Sequence, residues 1–376
     1  MKSNYNQLGQ YIEMVSRTNS DLKYGIEDVR GCSNTKQMLQ TRANLIGRTY
    51  EKFIVLRPQE FVFNRRTTRN GEKIGMAYNN TDREYIFTND YVAFRVKQEY
   101  LDKLLPDYLY MFFCRDEFDR YARYKSTGSA TEFFNWEDMC AVPFEIPPMD
   151  FQQLVVNAYK VLNERIETKQ KINDNLEAAM RALFEHFVVS NEAYDFDEAI
   201  DDKIDFINGL AMQNYRPEKD ETPIPVIKIR ELSQGYCDEN SEFCSNHIDK
   251  SHIIQNGDLV FSWSGSLQAS FWTSQTAGLN QHLFKVQSDE YPLWFVYEWV
   301  TFHLLNFQRI AENKGTTFGH IKREDLHNAK IKSVGIDEIN KLNNLFQPLL
   351  NTIIANSTEL HSLMNYQRVL LARLSR

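Results

Sequence analysis

Cysteine is scarce in this chain. Five in 376 residues, odd in number and widely spread, give no disulfide framework and fit a reducing compartment. Long apolar runs are missing too. The most apolar stretch, YPLWFVYEWVTFHLL (291–305), contains Glu298 and His303; it is too short and too polar to cross a bilayer and is expected to be a buried helix. The opening MKSNYNQLGQY lacks the apolar core of a secretory signal. These absences predict a cytoplasmic protein with no membrane partner. Enzyme signatures are lacking as well: no GxxxxGK[ST] phosphate loop, no GxGxxG, no HExxH and no GxSxG. The Pro-Pro at Pro147–Pro148 is not part of an Asn-Pro-Pro-Tyr/Phe tetrapeptide. SWSGS (262–266) lacks the leading Gly of a nucleophile elbow. CDENSEFCSNHIDKSH (237–252) offers Cys237, Cys244, His247 and His252, but at spacings foreign to zinc modules, and it reads as a polar surface loop. No catalytic residue, metal site or cofactor of its own is expected.

What the chain does have is a globular composition: 42% apolar residues, with 25 Phe, 19 Tyr and 5 Trp, and enough length for two cores. Net charge is −8, which at first sight disfavours a nucleic-acid partner. Its distribution qualifies that. Residues 1–150 carry 21 basic and 21 acidic side chains, and the remainder carries 22 and 30. Residues 191–221 alone hold ten acids against three bases, so the acidity is local.

The chain also repeats itself. KSTGSATEFFNWEDM (125–139) and NKGTTFGHIKREDL (313–326) each carry a Lys close to a Gly, a Ser or Thr after it, and an acidic pair. Gly128 and Gly315, Glu137 and Glu324, and Asp138 and Asp325 share one spacing of 187 residues. At that same offset Asp150 and Asp337 open long helical patterns. Positions seven apart read Val155, Leu162, Lys169, Leu176 and Leu183 in one copy, and Leu342, Leu349, Asn356, Leu363 and Leu370 in the other. A seven-residue apolar stripe of this length is a coiled-coil seam, and the matched polar positions Lys169 and Asn356 would fix register at some cost in stability. Pro348 predicts either a kink or a helix whose unbroken part begins near that point.

A globular block precedes each helix. The first shows strand-like FIVLRPQEFVF (53–63) and YVAFRV (91–96), then a helical pattern over 104–124. The second echoes it with HIIQNGDLVFSW (252–263), HLFKVQ (282–287) and a helical pattern over 293–311, and PIPVIKIREL (223–232) reads as an additional strand. The expected fold class is therefore α/β (α+β): two globular domains separated by two long antiparallel coiled-coil helices in a pseudo-two-fold internal repeat. The boundaries are 1–148, 149–189 (first spacer helix), 190–335 and 336–376 (second spacer helix).

In that order of parts the chain resembles the specificity subunits of type I restriction–modification systems. The paired Gly loops, IPPMDFQQL (146–154) before the first helix, LKYGIEDVRG (22–31), RNGEKIGMAYN (69–79), and FINGLAMQNYRP (206–217) with PIPVIKIREL carry the resemblance. IKSVGIDEINKL (331–342) departs from it by lacking the Pro-Pro. The resemblance implies two target-recognition domains that each read half of a bipartite site in double-stranded DNA, and helices that set the gap and dock two DNA adenine methyltransferase subunits. Restriction/motor subunits then join. It implies no catalysis in this chain, with S-adenosylmethionine, ATP and magnesium belonging to the partners.

Recognition of DNA needs cations and amides for phosphates and forked donors or acceptors for base edges. NRRTTRNGEKIG (64–75) concentrates them: Asn64, Arg65, Arg66, Arg69, Asn70 and Lys73. Its positional partner SWSGSLQAS (262–270) offers Ser264, Ser266 and Gln268, with Trp263 expected in the core. The Gly loops add Lys125, Ser126, Thr127 and Ser129, and Lys314, Thr316, Thr317, His320, Lys322 and Arg323. Structural roles compete at these positions. Gly can end the preceding helix, and Asn135 with Asp138 has the spacing of a capping box. The rival function is a coiled-coil adaptor with two peptide- or protein-binding domains, which leaves the Arg/Asn loop and the paired Lys-Gly loops without a task. A detached specificity piece of a fused restriction–methylation enzyme differs from the first reading mainly in its partner.

Overall fold

The structure is a computed structural model that describes residues 6–41, 45, 47–66, 73–128, 132–313 and 319–374. It divides into two compact units, Met1–Asn163 with Tyr366–Arg376, and Glu164–Asn365.

The first unit is built on an antiparallel sheet in the order Ile12–Val15, Tyr91–Val96, Phe61–Asn64, Met76–Tyr78. Successive strand residues point to opposite faces, and here both faces are covered. Phe61 and Phe63 join the cluster formed with helices Pro106–Phe113 and Asp116–Lys125, while Val62 joins Leu56, Ala77, Phe87 and Ala93. Phe61 stacks on Phe94 at 5.0 Å and meets Phe113 edge-on at 5.7 Å.

A sheet of the same order anchors the second unit: Asp205–Asn208, Leu283–Gln287, Leu259–Ser262, Ala269–Phe271. Leu259 and Phe261 face the cluster containing helix Leu293–Asn313, and Val260 faces a separate cluster with Ile227, Ile254 and Trp272. The acid ahead of each central strand does the same job twice. Glu60 accepts from the Arg57 backbone N–H at 2.8 Å and pairs with Arg17, and Asp258 accepts from the Gln255 N–H at 2.8 Å and pairs with Lys285.

Four segments differ from the sequence expectation. Residues 252–263 form two strands in different sheets, Ile253–Ile254 and Leu259–Ser262, parted by the turn at Gly257 with φ +93°. Residues 53–63 form two strands in different sheets, Ile54–Leu56 and Phe61–Asn64, because Gln59 turns the chain with φ +62°. Residues 104–124 form two helices, broken at Cys114 and Arg115. PIPVIKIREL is a strand, Ile224–Ile227, followed by the helix Ile229–Gln234.

Two long helices complete the chain. Met149–Phe184 runs on into a π turn, Glu185–Val189, and Ile336–Arg373 continues through an exposed Pro348. In the second unit Arg165 donates to Glu359 at 2.6 Å, Lys169 to Asn356 at 2.7 Å, and Asn173 to the Ile353 carbonyl at 3.3 Å. Partner numbers fall as residue numbers rise, so these segments run antiparallel. In the first unit Asn163 bonds Gln367, and Val155 and Tyr159 share a core with Leu370 and Leu371.

The expected stripe on the first helix is the less buried of two. Val155 is buried, but Leu162, Lys169, Leu176 and Leu183 are half-buried, whereas Gln152, Tyr159, Ile166, Asn173 and Met180 are all buried. On the second helix Leu342, Asn356 and Leu363 are buried, and Leu349 and Leu370 half-buried.

Candidate nucleic-acid interface

In the first unit the basic hairpin and the Gly loop come together. Arg66 and Thr127 each form an isolated backbone bridge with Phe133, and the Phe134 N–H donates to the Arg65 carbonyl at 2.9 Å. The Asn64 side chain accepts from the Arg66 N–H at 3.0 Å, which holds the turn out of the strand. Arg65 and Arg66 are exposed, and the Arg66 guanidinium lies 3.8 Å from Asp90. Lys73 is exposed, 3.5 Å from Asp116. Lys125 ends its helix with its ammonium 5.8 Å from the rings of Tyr121 and Tyr124, and Tyr124 is 82% exposed. Gly128 follows with φ +148°, a backbone that a side chain would strain. Arg69, Asn70 and Ser129 lie outside the described residues.

The base of that hairpin is clamped. Asp119 accepts from the Ile74 N–H at 3.0 Å, the Lys36 ammonium donates to the Ile74 carbonyl at 2.8 Å, and Lys36 and Asp119 pair with each other while both are buried. Gln308 serves the same end in the second unit, donating to the Leu267 carbonyl at 3.0 Å. Ile74 and Leu267 each sit two residues before the returning strand.

The second unit repeats the convergence. Ser264 bridges His320, the Ile321 N–H donates to the Trp263 carbonyl at 3.0 Å, and the Gly265 N–H donates to the Gly319 carbonyl at 2.9 Å. Ser264 is 9% exposed and its Oγ lies 3.2 Å from His282 Nδ1. Trp263 is half-buried, with a buried indole N–H that has no hydrogen-bond partner among the described residues. Ile229, Trp263, Ser264, Gly265, His282 and His320 line a cleft of about 500 Å3. Ser266 and Lys322 are exposed. Lys314, Thr316 and Thr317 lie outside the described residues.

Three of the expected contacts are engaged within the protein instead. The Ser126 hydroxyl donates to the Ala122 carbonyl at 2.8 Å, capping its own helix. Gln268 donates to Ser233 at 2.6 Å. Arg323 donates to the Phe206 carbonyl at 2.6 Å and lies over the Phe284 ring at 4.9 Å. The acidic pairs are structural: Asp138 accepts from the Asn135 N–H at 3.2 Å and Asp325 from the Lys322 N–H at 2.6 Å, each at the start of a short helix.

Cys237, Cys244, His247 and His252 form no cluster of ligand spacing. Cys244 packs toward Gly278, His247 faces Glu221 at 3.5 Å, and burial pushes the Cys237 thiol up to about 12 and Cys244 to about 11. Among the described residues, Asp201, Asp202 and His327 approach closely enough to share an ion, in an acidic group with nothing further pointing to a ligand. No helix among the described residues is long and apolar enough to cross a membrane.

Residues 33–178, which contain the basic hairpin, the first Gly loop and most of the first long helix, match the family model of the type I restriction modification DNA specificity domain. Through this stretch the chain is similar to type I restriction–modification specificity subunits. The MjaIX specificity subunit of Methanocaldococcus jannaschii is 23% identical over 301 residues, 73% of this chain and 69% of that relative. The EcoBI specificity subunit of Escherichia coli is 29% identical over 101 residues, 26% of this chain and 21% of that relative. In fold, the chain is similar to the S subunit of a type I restriction–modification system from M. genitalium, with a TM-score of 0.55, 12% identity, and coverage of 99% of this chain and 96% of that one.

Sequence reasoning missed Tyr124, Ile229 and His282. Tyr124 was legible as an aromatic beside Lys125. Ile229 and His282 reach the cleft through tertiary contact, and no local spacing marks them.

Proposed function

We propose that the chain is the DNA-reading, non-catalytic subunit of a type I restriction–modification complex, and that each unit reads one half of a bipartite target. One observation carries this reading. In each unit the same two segments meet through the same backbone bond, Phe134 N–H to Arg65 and Ile321 N–H to Trp263, beside a four-stranded sheet of one strand order. Two similar scaffolds presenting different side chains suit two half-sites of different sequence. Similarity to the specificity subunits supports the same reading, as do the cations Arg65, Lys73, Lys125 and Lys322 for phosphates.

In this reading the chain is an internal repeat, with recognition domains at 1–148 and 190–335. The helical segments 149–189 and 336–376 form a coiled coil that spaces the half-sites and docks two DNA adenine methyltransferase subunits and the restriction/motor subunits. S-adenosylmethionine, ATP and magnesium belong to those partners. An acidic surface then faces protein and solvent, while the methyltransferases supply much of the grip on DNA.

Insertion of one helical turn near Lys169 and another near Asn356 tests the spacer. About four residues add roughly 6 Å, or one to two base pairs at ~3.4 Å each, so the tolerated gap in the methylated motif lengthens by that amount. An unchanged gap with retained activity rejects the helices as the ruler.

A further inference from the structure

The cleft in the second unit has a counterpart in the first. Phe61 pairs with Phe94, and Leu259 pairs with Val286 at the corresponding place in the second sheet. Five residues beyond the first member of each pair stand Arg66 and Ser264; four before the second stand Asp90 and His282. These are the residues whose side chains meet, Arg66 with Asp90 at 3.8 Å and Ser264 with His282 at 3.2 Å. The third participants, Phe133 and His320, are 187 residues apart and form the same bridge to Arg66 and Ser264. One three-segment junction thus occurs twice on equivalent backbone, furnished with Arg, Asp and Phe in one unit and Ser, His and His in the other.

We propose that this junction is the base-reading position of each unit, and that His282, steered by Ser264, is a specificity-determining residue of the second. The inference rests on the DNA-reading function proposed above. The lining of the cleft selects the ligand. Among the described residues it contains no Lys or Arg, which disfavours a phosphate site. Hydroxyl and imidazole groups stand beside the apolar walls of Trp263 and Ile229, and the edge of a base pair in the major groove presents that mixture of donors, acceptors and apolar surface. Ser264 is nearly buried and bonded to Nδ1 of an exposed imidazole, so it restricts the ring's orientation. The Trp263 ring lies 5.8 Å from His282 and 6.4 Å from His320, confining both.

The test maps methylated adenines in the native host carrying the full chain, its His282→Ala variant or its Ser264→Ala variant. With the unaltered chain a split motif is expected. His282→Ala then relaxes the preference at one base pair of one half-site by about ten-fold, leaving the other half and the gap intact, and Ser264→Ala relaxes the same base pair. A motif identical at every position in both variants overturns the assignment while leaving the DNA-reading function standing, and so does a uniform loss of methylation at all sites by both. Absence of any motif with the unaltered chain rejects the reading on which the assignment rests.

Discussion

Lys169 donates from its ammonium to the side-chain oxygen of Asn356 at 2.7 Å. The two polar residues that interrupt the helical stripes 187 residues apart are therefore partners. Asn356 also donates to Asn173 at 2.9 Å, and Asn173 donates to Ser357 at 2.9 Å. A polar layer of this kind fixes register, because a slipped pairing leaves its members buried without partners. Asn356→Leu strands the Asn173 carbonyl oxygen and removes one acceptor from Lys169. It is expected to destabilise the protein by about 1–3 kcal/mol, read as a lower urea midpoint. Replacing Lys169, Asn173 and Asn356 together with Leu recovers much of that loss.

The basic hairpin carries a prediction about salt. Simultaneous Arg65→Ala, Arg69→Ala and Lys73→Ala weakens binding of the assembled complex to DNA. It also flattens the salt dependence, each lost phosphate contact lowering the slope by about 0.9. Titration of affinity against salt concentration measures both effects. An unchanged slope rejects phosphate binding by this loop.

Lys36 and Asp119 are 4% and 5% exposed, and together they hold both backbone groups of Ile74. Asp119→Ala leaves a buried ammonium unpaired and is expected to cost about 3–5 kcal/mol. Lys36→Met with Asp119→Leu removes both charges and costs less than the single change. Thermal unfolding of the two variants decides the order.

Glu298 is 2% exposed, and one of its carboxylate oxygens has no partner among the described residues. Burial pushes its pKa from the ordinary 4.5 to about 7, with Glu177 adding to the shift and Arg181 opposing it. The folded protein thus keeps this proton to a higher pH than the unfolded chain does. The stability this confers is complete below pH 4.5, declines as pH rises toward 7 by up to about 1.4 kcal/mol per pH unit, and levels off above that. Glu298→Gln removes this decline, so its urea midpoint changes less between pH 5 and pH 8 than that of the unaltered protein.

Some of this organisation could be read from the residues alone. Strand Tyr91–Val96 and helix Leu293–Asn313 carry strong local patterns, and the N-cap spacing of Asn135 and Asp138 identified the acidic pair as a helix start. The dominant helical stripe was harder. Gln152, Tyr159 and Asn173 occupy buried positions with side chains that an apolar count passes over, and Gln152 is buried because its amide bonds the Leu105 N–H and the Lys103 and Pro147 carbonyls. The interface was legible as a list of cations, but not which of them are engaged elsewhere. Arg323 looks free in sequence, yet it bonds a carbonyl 117 residues away. His282 joins Ser264 across 18 residues, through a register that only strand pairing sets.

The most direct test of the account is a genome-wide map of methylated adenines in cells with and without this chain. A split motif, two short specified halves around an unspecified gap, is expected with the chain and is lost without it. Methylation that is the same in both cells would contradict it.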